Sequence, residues 1–237
     1  YWSNQEVIKT SESNIESFAV RTQLDHLSSD IVTATEKMDF DCLYAHDWIT
    51  FKAAIDLKKK TKKPLLLHVH SLDYDRSIAH GDSWVFDLEK EAFEHADTII
   101  CVSNYTKNII EEVYQAKPSK MHVIHNGVEV HPVVRQNNPF KEKIVLFVGR
   151  LTGQKGPTNF LKIAEHVHAQ FPNSRFVVAG QGDLYNTMIT ASAHSPIADK
   201  IHLTGQLAMA DLQKLYAMSD VYCMPSISEP FGLTALE

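Results

Sequence analysis

Short apolar runs alternate with amphipathic stretches along this chain, and the alternation occurs twice. In the first series the apolar runs are 41–45, 64–70, 98–103 and 121–125, and stretches with helical spacing cover 49–57, 83–96 and 105–114. Continuous apolar runs of this length read as strands buried on both faces, so the alternation predicts a parallel sheet covered by helices on both sides. Ahead of it, residues 11–37 carry Ile15, Phe18, Ala19, Leu24, Leu27, Ile31 and Ala34 among polar neighbours. That is a helical period and predicts a surface helix, or a helix with a break.

Asn126-Gly127 closes the first series. Pro132 and Pro139 then fall in a mixed polar stretch, 131–142, that reads as a linker. The second series has apolar runs at 143–149, 175–180, 201–204 and 221–224, with helical stretches at 158–171, 184–194 and 211–218. Residues 1–130 and 143–237 are thus expected to form two Rossmann-like α/β domains. They echo each other in architecture and not in sequence.

Composition narrows the classes. The chain has 237 residues, 44% hydrophobic and 22% charged, as in an ordinary globular protein. Its net charge of −6 disfavours a general nucleic-acid binder. Apolar runs fall well short of the roughly 20 residues that span a bilayer. The opening Tyr1 to Glu6 is polar, so a cytoplasmic location is expected. The chain lacks an initial Met and stops inside a presumptive helix, and reads as a piece truncated at both ends. Cys42, Cys101 and Cys223 sit in apolar runs without a CxxC neighbour and read as small buried hydrophobes. Thirteen histidines show no HExxH or comparable ligand spacing, and no metal site is expected.

In open parallel sheets ligands bind at the carboxyl ends of the strands. His46 and Asp47, His68 and His70, Ser103, Asn126, Gly149 and Arg150, Gly180, Gly205 and Glu229 all fall at such ends. Two facing domains would enclose a cleft there. Val148-Gly-Arg-Leu-Thr-Gly-Gln-Lys-Gly156 places Arg150 and Lys155 in a glycine-containing loop before a helix, where a phosphate would lie. The loop matches neither GxxxxGK[ST] nor GxGxxG. At the far end, Glu229-Pro-Phe-Gly232 makes a turn into a helix that begins near Leu233. A strand, a tight turn and a helix start form an anion site, because the first helical N–H groups lack partners. Glu229 and Glu237 bracket it and could be paired carboxylates for acid–base work, although Glu237, set inside the helix, is better placed to accept from hydroxyls such as a ribose; either could instead serve the electrostatics of the helix start.

His70 ends a strand, where a lone histidine is commonly structural. His46-Asp47-Trp48 suits either strand-end capping or an acceptor contact. Asp73-Tyr-Asp75 resembles a DxD metal motif, although two acids one apart are common by chance. Lys58 to Lys63 places five lysines at a helix end. They complement the helix dipole or, alternatively, touch an anionic membrane or polyanionic acceptor.

Taken in order, these segments resemble the retaining glycosyltransferases of family 4, with the GT-B fold. Ser228-Glu-Pro-Phe-Gly-Leu-Thr-Ala-Leu-Glu237 is similar to that family's Glu-x7-Glu motif. The Gly149 to Gly156 loop, Val178 to Gly182, His202 to Gly205 and Met218 to Ser226 are similar to its donor domain. Ala45 to Trp48, Leu67 to His70, Ala96 to Ser103 and Val123 to Val128 are similar to its acceptor-side domain. Within the family, His70 to Arg76 and Val102 to Lys107 are similar to glycogen or starch synthase-like members. Nothing before residue 40 matches the family's glycine-rich opening loop.

The resemblance implies a hexosyltransferase using a nucleotide-diphosphate sugar, such as UDP- or ADP-glucose, without cofactor or metal. The acceptor would be a glycan, glucan or lipid-linked sugar. Glu229, His70, Arg150 and Lys155 would be catalytic. Gly149, Arg150, Lys155 and the amides of Phe231, Gly232 and Leu233 would hold the diphosphate. Glu229 would hold a sugar hydroxyl, Glu237 the ribose, and Gln206 and Leu207 would edge the base. His46, Asp47, His70 and Arg76 would lie on the acceptor side. Two other readings remain at this point: a non-catalytic nucleotide-sugar or glycan-binding protein, and a nucleotide-sugar epimerase on the same fold.

Overall fold

The computed structural model describes residues 3–35, 37–77, 83–129 and 136–237, with side chains from residue 18 onward. The described backbone falls into two compact units, Tyr1–Tyr74 with His80–His125, and Asp75–Ala79 with Asn126–Glu237. Residues 131–135 of the expected linker lie outside the described residues.

The first unit opens with α1 (Ser3–Thr35), one helix without a break, followed by β1 (Leu43–His46), α2 (Trp48–Thr61) and β2 (Leu65–Val69). A one-turn helix, α3 (Asp73–Arg76), precedes α4 (Trp84–His95), β3 (Thr98–Cys101), α5 (Asn104–Glu112) and β4 (Met121–Val123). Serines start two of these helices. Ser83 Oγ accepts from the Val85 and Phe86 amides at 3.1 and 3.2 Å, and Ser103 Oγ accepts from the Thr106 amide at 3.1 Å. α2 ends on Lys62 in the left-handed conformation, whose N–H returns to the Lys58 carbonyl.

The first sheet is parallel with order β1-β2-β3-β4. Each crossover steps in the same direction. Right-handed connections then put every crossover helix on one face. Leu43, Ala45, Leu65, Leu67, Val69, Ile99, Cys101 and Met121 accordingly join Phe51, Phe93 and Ile110 in one core. The alternate positions do not enter it. Tyr44, His46 and His122 are exposed, and Leu66 and His68 are half-buried. Ile100, on the same face, is buried outside that core, so among the described residues this face is covered only in part, and not fully as the apolar runs predict. Cys42 likewise precedes β1 and is exposed, against the expectation that all three cysteines are buried.

The second unit comprises β5 (Lys143–Val148), α6 (Pro157–Gln170), β6 (Ser174–Ala179), α7 (Tyr185–His194), β7 (Ile201–Gly205), α8 (Met209–Met218), β8 (Val221–Tyr222) and α9 (Leu233–Leu236). Its strand order is β7-β6-β5-β8, all parallel. The chain steps outward from β5 to β7, and α8 then carries it back to β5's other side. The reversal puts α6 and α7 on one face and α8 on the other. Two cores result, one around Phe147, Phe160 and Phe176 and one around Ile144, Leu146, Val177 and Leu215. This sheet is covered on both faces, as its apolar strands predict. β8 is only two residues long, shorter than the apolar run 221–224 suggests, because Met224 and Pro225 already turn away from β5.

Candidate functional site

The strand order of the second sheet reverses between β5 and β8. In open α/β sheets that switch point, outside the carboxyl ends of the strands, is where a crevice forms. Lys155 follows β5 and Glu229 follows β8, so the topology brings them together from 74 residues apart. Lys155 Nζ donates to Glu229 Oε1 at 2.7 Å and Oε2 at 2.8 Å. Ser226 Oγ also donates to Oε2, at 2.9 Å. Both side chains of the ion pair are about one-fifth exposed, at 22% and 18%.

The two loops are joined through backbone as well. The Ile227 amide donates to the Gln154 carbonyl at 2.8 Å. Gly156 has φ +66°, and a Cβ there would stand 2.3 Å from the Pro225 carbonyl oxygen. Only glycine fits this close approach. Gly232 has φ +85° and caps α9. Tyr222 OH reaches Thr234 Oγ1 at 2.7 Å, tying α9 to β8.

The Gly149, Leu151, Lys155 and Gly156 amides are bonded to the Ala179, Gln181, Thr152 and Gly153 carbonyls. Those four amides are spoken for, and the loop's positive charge comes from Arg150 and Lys155. Arg150 is exposed and makes no ion pair among the described residues. Lys155 donates twice to Glu229, and an ammonium has three N–H groups, so one donor remains.

Gln206 is exposed just past β7, and Leu207 is half-buried against the α8-side core. Phe231 is half-buried, and Leu233 is 40% exposed at the start of α9. Glu237 follows Leu236 of α9, its amide bonded to the Leu233 carbonyl at 3.1 Å in the i→i−4 pattern of that helix. Its Oε2 accepts from Tyr216 OH at 3.0 Å. Burial, and then this hydrogen bond to a carboxylate, raise the Tyr216 pKa, so the phenol stays a donor.

In the first unit, His46, Asp47 and His70 meet at the carboxyl ends of β1 and β2. Asp47 has φ +55°, unusual for a residue with a side chain. Its Oδ1 accepts from the His70 amide at 2.7 Å and the Ser71 amide at 3.3 Å. The strand-end capping open to Asp47 in the sequence is what this oxygen does. His46 Nδ1 lies 3.1 Å from His70 Nε2. Burial, then the charges of His70 and His46, lower the His68 pKa, favouring neutral imidazole. Arg76 ends α3, within the 75–79 stretch that groups with the second unit.

Glu89 had no sequence signal. It is 1% exposed, accepts from the Asp73 amide at 3.0 Å through both oxygens, and accepts from Tyr114 OH at 2.5 Å. It holds the start of α3, just past His70. Asp73 itself accepts from Ser83 Oγ at 2.6 Å. Three of the five lysines pair with acids of the first unit: Lys58 with Asp97 at 2.5 Å, Lys59 with Glu91 at 2.9 Å and Lys63 with Asp39 at 3.5 Å. Membrane contact through this run has no support among the described residues. No described helix is long and apolar enough to cross one.

A hollow of about 330 Å³ lies elsewhere on the second unit, lined by Asn138, Glu142, Lys143 and Asp220. Its polar groups answer each other: Lys143 pairs with Asp220 at 2.8 Å, and Glu142 with Arg175 at 2.8 Å and Lys200 at 3.1 Å. The switch point is the better candidate.

The family description "Glycosyltransferase Family 4" matches residues 17–131, and "Glycosyl transferases group 1" matches residues 131–237. Between them the two glycosyltransferase descriptions span residues 17–237, and they support a family 4-like glycosyltransferase. An uncharacterised glycosyltransferase of Methanocaldococcus jannaschii is 28% identical over 214 residues, 84% of this chain and 55% of that protein. Sucrose-phosphate synthase from Thermosynechococcus elongatus superposes with a TM-score of 0.75 at 21% identity, over 90% of this chain and 57% of that one. Anabaena HepE, solved in complex with UDP and glucose, superposes with a TM-score of 0.70 at 17% identity, over 88% and 58%. These structural likenesses carry the two-domain GT-B fold expected from the sequence. The chain spans about half the length of the curated relatives it matches.

Proposed function

We propose that the whole protein transfers a hexosyl group from a nucleotide-diphosphate sugar to an acceptor hydroxyl, with retention of anomeric configuration and without a metal. The observation that carries this is the Lys155–Glu229 pair at the switch point, with Arg150 exposed on the same loop.

Breaking the glycosidic bond leaves charge on the departing phosphate. Cations already in place stabilise that charge more in the transition state than in the ground state. Lys155 keeps one N–H for a phosphate oxygen while Glu229 holds it in position. Arg150 adds a planar fork of donors. The Phe231, Gly232 and Leu233 amides add to the same cradle. Glu229, held by Lys155 and Ser226, retains lone pairs for a sugar hydroxyl. Glu237 takes the ribose hydroxyls, with Tyr216 donating to its other oxygen. Gln206 and Leu207 border the base. His70, fixed by Asp47, contacts the sugar, and His46 lies on the acceptor side with it.

HepE binds UDP and glucose, which supports a UDP-hexose donor here. The acceptor is a glycan, glucan or lipid-linked sugar. The anomeric linkage of the product, read by NMR, tests retention: an inverted linkage would reject that part. Release of a free sugar epimer, or nucleotide binding with no transfer over a broad donor and acceptor panel, would favour the epimerase or the binding protein instead.

A further inference from the structure

Three histidines come together on one face of the first sheet; His46 and His70 serve the proposed reaction, and His68 has no role in it. His46 and His68 are register partners on adjacent strands, and His68 and His70 are two residues apart on one strand line. Strand alternation therefore puts all three imidazoles on one face. Each offers a nitrogen within 4.8 Å of the others. His46 Nδ1 and His70 Nε2 are already 3.1 Å apart. Two nitrogens on one tetrahedral zinc stand about 3.3 Å apart, given Zn–N bonds of roughly 2.0–2.1 Å. The third ligand is on His68, whose nitrogen has at most about 1.5 Å to close on that spacing.

His68 supplies an independent sign. Its Nε2 is buried and has no hydrogen-bond partner among the described residues. Its Nδ1 lies 2.7 Å from Tyr44 OH. With Nδ1–H donating to that oxygen, Nε2 carries a bare lone pair in a place without a donor. Buried polar atoms without partners are costly, and a Lewis acid would satisfy this one. A metal-bound histidine commonly has its second ring nitrogen fixed in this way. Three imidazoles select zinc-class ions over magnesium or calcium, which take oxygen ligands.

We propose that His46, His68 and His70 bind one zinc-class divalent transition ion, and that the ion, by occupying His70, inhibits sugar transfer. The second half rests on the transferase reading; the first does not. No bond is made or broken beyond coordination: the ring that donates in the His46–His70 contact moves its proton, by exchange with solvent, to its other nitrogen, so both imidazoles stay neutral.

The test uses chelator-treated full-length protein titrated with Zn²⁺ against a chromophoric competitor, with Co²⁺ absorption reporting nitrogen ligation. One ion per chain is expected, unaffected by millimolar Mg²⁺. His68→Gln, His46→Gln and Tyr44→Phe should each weaken it at least about 10-fold, with circular dichroism unchanged. No bound ion, or an ion held equally well by folded His68→Gln, overturns the site; if His68→Gln does not fold, equal binding by Tyr44→Phe and His46→Gln overturns it. In a transfer assay, Zn²⁺ should slow the wild type, and His68→Gln should keep basal activity and lose the inhibition. Zinc bound with transfer unaffected overturns the inhibitory role. Zinc bound by a protein with no transfer on any donor leaves the site standing and rejects the transferase reading.

Discussion

Lys155 Nζ sits between the two carboxylate oxygens of Glu229, 2.7 Å from one and 2.8 Å from the other. Each side chain is therefore the other's positioning device as well as a candidate ligand contact. Removing either leaves a largely buried charge unpaired and displaces its partner. Lys155→Ala and Glu229→Ala in the full-length protein should each lower turnover at least about 100-fold. The double variant should fall little further than the worse single one, because the two act as a unit. Multiplicative losses, measured as kcat in a double-mutant cycle, would show that they act separately.

Arg150 makes no ion pair that holds it, so its substitution tests charge without disturbing the loop. Arg150→Ala should leave the unfolding midpoint of the protein unchanged and still cut turnover about 100-fold. A drop in stability with unchanged turnover would assign Arg150 to structure.

Gly156 ties the β5–α6 loop to the β8–α9 loop at a left-handed φ of +66°. Gly156→Ala meets the Pro225 carbonyl and should destabilise the protein by about 2–4 kcal/mol in chemical denaturation. Gly127→Ala is the control. No atom lies within 4 Å of a Cβ there, so its effect should be near zero. Equal effects would reject the close approach of the two loops.

Glu142 has its pKa lowered to about 2, first by the hydrogen bond from Arg175 and then by others including Lys200. A carboxylate with a lowered folded-state pKa adds stability that is present above its ordinary value of 4.5 and is lost as pH falls toward 2. Glu142→Gln should therefore be less stable than wild type at pH 7, and the gap should close between about pH 4.5 and 2. A gap that stays constant across that window in pH-dependent denaturation would contradict the assignment.

Much of this architecture is legible in the residues. Apolar runs mark the strands, and Ser83 and Ser103 mark helix starts. Sheet order is what the runs do not carry. One-directional stepping leaves Tyr44, His46 and His68 on a face that is only partly covered among the described residues, while the reversal at β8 covers the second sheet twice. The same reversal joins Lys155 to Glu229, a pairing no local motif announces. The histidine set shows why: no ligand spacing marks it in the sequence, because His46 comes to His68 and His70 from the neighbouring strand. Glu89 is hidden for a simpler reason. On an amphipathic helix it looks like any surface acid until α3 folds over it.

The central claim is that Lys155 serves the departing diphosphate of a sugar donor. Nucleotide release by full-length wild type and Lys155→Ala, over a panel of nucleotide sugars with and without acceptors and in EDTA, tests it most directly. The account predicts acceptor-dependent release that survives EDTA and falls at least about 100-fold in the variant. Release that needs a metal, or that proceeds undiminished without Lys155, would contradict it.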